Sequence, residues 1–142
     1  MKTALVILNW NTRDYLRRWL PALVGSGADV WVADNASSDG SLAMLSSEFP
    51  EVRTIAFDSN YGFTGGYNRA FARIAEAEEY SYYVLINSDV EVPAGPYTIY
   101  KDVLVNGDLE GSDFSAFSAK IYPAADPAIL SASLVAATDG VD

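Results

Sequence analysis

Four short strand-like runs, each ending in an abrupt polar cluster, constrain this chain more than any other feature. They occupy residues 4–8, 30–33, 52–57 and 82–86. The last, Tyr82-Tyr83-Val84-Leu85-Ile86, is uninterrupted apolar, β-branched and aromatic sequence, the signature of a strand buried on both faces. Between the runs the apolar spacing turns helical. Tyr15, Leu16, Trp19, Leu20 and Leu23 share one side of a first helix, opposite Arg13, Arg17 and Arg18. Asn11 and Asp14 form a loose cap for it, Pro21 bends or shortens its end, and Gly25-Ser26-Gly27 closes it. A second helix over 41–49 turns Leu42, Leu45 and Phe49 inward and stops at Pro50; a third over 67–78 presents Ala70, Phe71, Ile74 and Ala75. Strand and helix alternating at this spacing predict right-handed parallel crossovers and a doubly wound, mostly parallel α/β sheet. Further on, the sequence predicts a helix over 96–105 and a strand over 114–122. One domain therefore spans 1–122, and an Ala- and Ser-rich tail with a short helix over 130–137 spans 123–142.

Composition narrows the chemistry. The formal charge of −10 argues against gripping nucleic acid by phosphate neutralisation, and against an anionic membrane surface. An anionic ligand needs a metal ion or locally placed arginines to offset that field. With no cysteine and no histidine, thiolate chemistry and imidazole bases are absent, and such work falls to carboxylates. No apolar run approaches the roughly 18 residues of a membrane span. The apolar start after Lys2 is cut short by Asn9 and Asn11, unlike a signal peptide, so a cytoplasmic protein is expected.

The polar clusters Asn9-Trp10-Asn11, residues 34–41, residues 58–66 and Asn87-Ser88-Asp89 all follow strands. In a parallel sheet such loops share one rim, where ligands of open α/β sheets bind. Asp89, held beyond a buried strand, is positioned to bind a hard cation that neutralises a diphosphate, although Asn, Ser and Asp are also ordinary turn formers. Asp34 can accept hydrogen bonds from a base or ribose; capping the next helix is its other role, for which Asp39 and Ser41 sit closer. Gly62, Gly65 and Gly66 ahead of a helix permit close approach of a phosphate to backbone amides, or serve only as a flexible turn. Asn68 and Arg69 follow in the first turn of that helix, Arg69 being the nearest cation for a diphosphate. Trp10, Tyr61, Phe63 and Tyr67 offer stacking surfaces or a rim core.

These motifs resemble a known family. Ile7-Leu8-Asn9-Trp10-Asn11, Asp34-Asn35-Ala36-Ser37-Ser38-Asp39-Gly40-Ser41, Asn60-Tyr61-Gly62-Phe63-Thr64-Gly65-Gly66-Tyr67-Asn68 and Leu85-Ile86-Asn87-Ser88-Asp89 follow the order and spacing of the family 2 glycosyltransferases, most of all the rhamnosyltransferase-like branch. The resemblance covers about residues 3 to 122. It implies a Rossmann-like GT-A fold and inverting transfer of a sugar from a UDP- or dTDP-sugar donor. The acceptor is then a glycan such as a growing polysaccharide or a lipid-linked saccharide, and the location cytoplasmic or peripheral to the inner membrane. The family's donor-binding aspartate falls on Asp34. Its Asp-x-Asp motif falls on Asn87-Ser88-Asp89, where Asn87 replaces the first carboxylate and Asp89 remains for Mg²⁺ or Mn²⁺. Residues and resemblance together put forward Asn9, Asn11, Asp34, Asn35, Asp39, Gly62, Gly65, Gly66, Asn68 and Asn87 for the nucleotide-sugar, and Asp89 for the metal.

Family members continue into an acceptor-binding half that carries the catalytic base, so the chain is expected to be the donor half of such an enzyme. No base is assigned, and Asp102, Asp108 and Asp113 are not promoted to the role. Two other classes fit in part. A sugar nucleotidyltransferase calls for a Gly-rich loop with a basic residue after the first strand, which Asn9-Trp10-Asn11 lacks; a non-catalytic nucleotide-sugar-binding module does not need a base.

Overall fold

The computed structural model of the protein describes residues 3–88 in full and the backbone of four further strands, at 97–100, 103–106, 115–117 and 120–123. The strands β1 (Thr3–Asn9), β2 (Asp29–Asp34), β3 (Arg53–Ala56) and β4 (Tyr82–Leu85) alternate with the helices α1 (Arg13–Val24), α2 (Ser41–Glu48) and α3 (Gly62–Ala77). These four strands pair in parallel in the order β3-β2-β1-β4. β8 (Lys120–Pro123) adds antiparallel beside β4. β5 (Tyr97–Tyr100), β6 (Val103–Asn106) and β7 (Ser115–Phe117) form a separate antiparallel sheet.

The central strands are buried on both faces because alternate residues feed two cores. Ala4 and Val6 of β1, Trp31 and Ala33 of β2 and Tyr83 and Leu85 of β4 pack under Tyr67, Ala70, Phe71 and Ile74 of α3. Leu5, Ile7, Val30, Val32 and Val84 face the other way, against Leu16, Leu20 and Leu23 of α1 and Met44 and Leu45 of α2. The result is a three-layer α/β/α domain with β1 at its centre.

Several elements differ from the sequence expectation. The helix expected over 96–105 is the strand pair β5 and β6; its Tyr97-Thr98-Ile99-Tyr100 and Val103-Leu104-Val105 runs are β-branched and aromatic, and strand propensity prevails. The strand expected over 114–122 is two strands, β7 and β8, in different sheets. On α1 the exposed Tyr15 departs from the apolar face, and on α2 Leu42 faces solvent while Met44 turns inward. Ala75 of α3 is exposed. The short helix expected over 130–137 lies outside the described residues.

The largest correction concerns α3, which begins at Gly62, five residues before the expected start at Tyr67. Gly62, Gly65 and Gly66 are inside the helix rather than in a loop ahead of it. Glycine normally disfavours a helix interior, but here packing requires it. A Cβ on Gly66 would lie 2.7 and 2.8 Å from the Leu8 methyls and 2.9 Å from Asn35 Nδ2. At Gly65 the nearest contacts would be 3.3 Å to Tyr61 Cβ and 3.4 Å to Arg69 Nη1. We therefore expect Gly66→Val to destabilise the fold by about 1–3 kcal/mol through overpacking. Gly65→Ala should be near neutral, because gained helix propensity offsets a mild contact. Urea denaturation of the two variants checks the contrast; equal losses would refute it.

Candidate functional site

Strand β1 is the pivot of the winding: the chain passes from β1 to β2 and β3 on one side and to β4 on the other, and a crevice opens where the two directions part. The hydroxyl of Tyr67, reaching from α3, fills its base. It accepts from the Leu8 amide at 3.4 Å and donates to the Ile86 carbonyl at 3.2 Å, bridging β1 and β4 beyond their last paired residues.

Above this bridge the loops after all four parallel strands meet around a cleft of about 380 Å³. From β1 and the loop after it come Leu8, Trp10 and Thr12; from the loop after β2, Asn35; from the β3–α3 connection, Asn60, and from the first turn of α3, Gly62 and Phe63; from the loop after β4, Asn87 and Ser88. Trp10 and Phe63 are 55% and 41% exposed, so apolar ring surface stands uncovered at the cleft. Apart from these rings and Leu8, the described lining is amides, hydroxyls and backbone.

Behind the cleft lies a polar network around Asn9 and Asp34, both without exposed surface. Asn9 Nδ2 donates to Asp34 Oδ1 at 2.7 Å and to Ser37 Oγ at 3.2 Å. Asp34 Oδ2 accepts the Ser37 amide at 2.9 Å. Asn9 Oδ1 accepts from the Thr12 hydroxyl, whose oxygen is also 2.7 Å from Ser88 Oγ. Thr12 has a single hydroxyl proton and Asn9 Oδ1 can only accept, so Thr12 donates to Asn9 and Ser88 donates to Thr12. One relay of hydrogen bonds thus ties the loops after β1, β2 and β4.

Asn35 adds the remaining loop. Its amide donates to the Asn9 carbonyl at 2.8 Å, its Nδ2 to the Gly62 carbonyl at 3.1 Å, and its Oδ1 accepts the Tyr61 amide at 3.2 Å. Asn11, at φ 54°, accepts the Ser38 amide on Oδ1 at 2.8 Å and donates its own amide to Ser37 Oγ at 2.9 Å. Asparagine tolerates this left-handed conformation better than most residues.

The expected site residues therefore separate. Asn35, Gly62 and Asn87 line the cleft. Asn9 and Asp34 stand behind it, and both Asp34 oxygens are held within the protein, which places the carboxylate as a support rather than in the cleft lining. Gly66 backs Asn35, Gly65 lies in the first turn of α3, and Asn68 is half-buried further along it. Arg69 stacks over Tyr61 in a different cleft. Asp89 lies outside the described residues. Among the described residues no group of three acidic, histidine or cysteine side chains could hold a metal ion. The Asn87 amide oxygen and the Ser88 hydroxyl, both at the cleft, are hard donors of the kind Mg²⁺ and Mn²⁺ accept.

Asp39 joins two helix starts instead of lining the cleft. Its Oδ2 accepts the Arg13 amide at 2.9 Å, and its Oδ1 accepts the Ser41 amide at 3.0 Å and the Ser41 hydroxyl. The expected Asn11/Asp14 cap is not formed; α1 starts after Thr12 without a side-chain cap, and its first amide goes to Asp39. Burial pushes the Asp39 carboxyl up, but the Ser41 hydroxyl and the Arg13 and Ser41 amides outweigh it and hold the pKa below the ordinary 3.8.

Ser37 and Ser88 lie within the polar motifs of the sequence, but their long-range roles, like that of Thr12, are not legible there, since the Thr12–Ser88 contact spans 76 positions. Tyr67 did carry a signal, since 67, 70, 71 and 74 are spaced as one helical face.

A cleft at the carboxyl rim of a doubly wound sheet, beside its winding reversal, is where open α/β domains hold their ligands. The profile of glycosyl transferase family 2 matches residues 4–98, and the chain belongs to that family. No curated protein matches it in sequence. Among solved structures, S. aureus TarS 1–349 is similar at TM-score 0.54 and 20% identity, over 64% of this chain and 28% of that one. TarS 1–349 in complex with UDP-GlcNAc is similar at TM-score 0.53 and 20% identity, over 63% and 27% of the two chains. The complex with UDP gives TM-score 0.53 and 21% identity, over 63% and 28%. The protein thus spans less than a third of the length of these relatives.

Two outcomes are expected. Asn9→Ala leaves a buried Asp34 oxygen without its donor and should cost roughly 1.5–3 kcal/mol, read by urea unfolding. Asp39, with its folded pKa depressed, contributes stability that is complete above the ordinary carboxylate value and is lost as pH falls through the lowered one. Asp39→Asn should flatten the acid limb of a stability-versus-pH curve relative to the parent. An unchanged limb would show that Asp39 does not link the two helix starts.

Proposed function

We propose that this chain is the donor-binding part of an inverting glycosyltransferase and takes a nucleoside diphosphate-sugar, UDP- or dTDP-linked, in the cleft at the rim of the parallel sheet. The observation that carries this reading is the meeting of four loops around about 380 Å³, with exposed Trp10 and Phe63 beside the neutral amides of Asn35 and Asn87. Aromatic rings suit a base or a sugar face, and amides suit their hydroxyl and carbonyl edges. The TarS structures with UDP-GlcNAc and UDP support a donor of this class.

On this reading Asn9 and Asp34 do not touch the donor; they hold Asn35 and the turn at Ser88 in place. Asn35, Asn87, Gly62 and the Thr12–Ser88 pair contact it, while Gly66 and Asn11 keep the loops in register. The transfer forms a bond from an acceptor hydroxyl oxygen to the anomeric carbon as the bond to the diphosphate breaks, with the hydroxyl proton going to a base. A Mg²⁺ or Mn²⁺ ion held at Asp89, next to the hard donors Asn87 and Ser88, would neutralise the charge gathering on the departing diphosphate. The domain over 1–122 supplies the donor side of this reaction. The acceptor is a growing polysaccharide or a lipid-linked glycan, and the place of action is the cytoplasm or the inner face of the membrane. No helix among the described residues is long and apolar enough to cross a membrane.

Titration calorimetry of UDP and dTDP, with Mn²⁺ or with a chelator, tests the reading. Binding should be tighter with the metal, and Asp89→Asn should remove that metal-dependent gain while leaving metal-free affinity nearly intact. If no nucleoside diphosphate binds the folded chain at millimolar concentration, the proposal fails. If Asp89→Asn keeps the parent's metal dependence, the ion sits elsewhere. Release of sugar from a bound donor distinguishes a transferase from a binding module.

A further inference from the structure

A second cleft, of about 420 Å³, lies between β3, the last strand of its sheet, and α3, lined by Phe57, Asp58, Tyr61, Arg69, Arg73 and Glu76. The donor reading makes no use of it. Arg69 and Arg73 are one helical turn apart and so project from the same side of α3. The Arg69 guanidinium lies 3.8 Å from the Tyr61 ring centre and that of Arg73 5.9 Å from the Phe57 ring centre. The close contact of Arg69 with the Tyr61 ring holds that guanidinium at the cleft and leaves N–H edges available to acceptors, while Arg73 sits more loosely over Phe57.

Arg13, Arg17 and Arg53 are each paired with a carboxylate. Three of the six arginines, Arg18, Arg69 and Arg73, have no carboxylate partner among the described residues, although the chain carries a net charge of −10, and Arg69 and Arg73 are the two that line one cleft. Arg69 makes one long hydrogen bond, 3.4 Å, to the Gly65 carbonyl, which leaves most of its donors open. Asp58 and Glu76 line the same cleft, and the Tyr61 hydroxyl donates to Asp58. A bare anion would be attracted by the guanidiniums and repelled by these carboxylates. A hydroxylated ring bearing an anion satisfies both, since carboxylates accept from hydroxyls as guanidiniums donate to oxyanions.

We propose that this cleft binds an anionic sugar unit, a phosphorylated sugar or a uronate, with its oxyanion on Arg69 and Arg73 and its ring hydroxyls on Asp58 and Glu76. The site stands on its own residues and does not depend on the donor reading. The two clefts share only the β3–α3 connection, where the Tyr61 amide donates to Asn35.

NMR titration of the full chain with glucose 1-phosphate, glucuronate, inorganic phosphate and glucose tests the proposal. At least one of the two anionic sugars should bind, more tightly than inorganic phosphate or glucose, and shift the Arg69, Arg73 and Tyr61 signals. Whichever of them binds identifies the anion as phosphate or carboxylate. Both arginines are exposed, so the double variant Arg69→Gln/Arg73→Gln should keep its fold while weakening that binding by about ten-fold or more. UDP in excess should not displace the anionic sugar. Equal binding by the double variant, displacement by UDP, or no binding of either anionic sugar would each overturn the assignment.

Discussion

The buried hydrogen bond between Asn9 and Asp34 is the interaction on which the candidate site depends. A carboxylate with no exposed surface is costly unless its oxygens are satisfied. Asn9 satisfies one oxygen and the Ser37 amide the other. Because Asn9 ends β1 and Asp34 ends β2, paired in register, the bond lies where two adjacent parallel strands finish together. Every loop that reaches the cleft is tied to it, through Ser37, through Thr12 and Ser88, or through Asn35 to Tyr61 and Gly62. Hydrogen bonds to a charged group in a low-dielectric surrounding are stronger than exposed ones. The cleft wall is therefore organised before any ligand arrives.

The same bond explains what the sequence could and could not disclose. The strand runs, their parallel order and the polar loops on one rim follow from period and punctuation, and residues 3–88 carry them as read. The placement of Asp34 does not. An aspartate after a strand has one appearance in sequence whether or not its carboxylate is bonded within the protein, and its partner Asn9 is 25 positions away. The start of α3 differs from the sequence expectation for a related reason. Three glycines look like a loop to a propensity argument, but Gly66 is chosen by the Leu8 and Asn35 side chains that press on it. The strands at 97–106 were misread as a helix because a short apolar run has no period long enough to separate the two.

Charge shapes the molecule in a second way. With 19 acidic and 9 basic residues, the chain offers little general attraction to a diphosphate. Three of the six arginines are committed elsewhere: Arg13 and Arg17 to the α1–α2 face, Arg53 to Glu78 and the Trp31 ring. Among the described residues, the cleft at the rim has no arginine or lysine in its lining. A nucleoside diphosphate seated there would carry its charge into a neutral, amide-rich wall on an acidic protein. That is an unfavourable place for an anion unless a cation accompanies it. On the proposed reading, a metal ion would be the cation that accompanies it.

Arg69 completes this argument. From sequence it was the nearest cation to a diphosphate, but helical geometry turns it away from the rim, because Gly66, Tyr67 and Ala70 occupy the face of α3 that meets the sheet. An arginine three residues beyond Gly66 projects around the corner, onto Tyr61. The positive charge that could have served the first cleft lies instead on the other side of the loop that both clefts share. One loop then separates two chemically different surfaces: neutral amides with exposed rings on one side, and unpaired guanidiniums with carboxylates on the other. A ligand that moved the Tyr61 backbone would be felt at Asn35, since Tyr61 donates its amide to that side chain at 3.2 Å. The two clefts are therefore linked through the hydrogen bonds of Asn35 to Tyr61 and Gly62, and Asn35 is the residue at which coupling would be read.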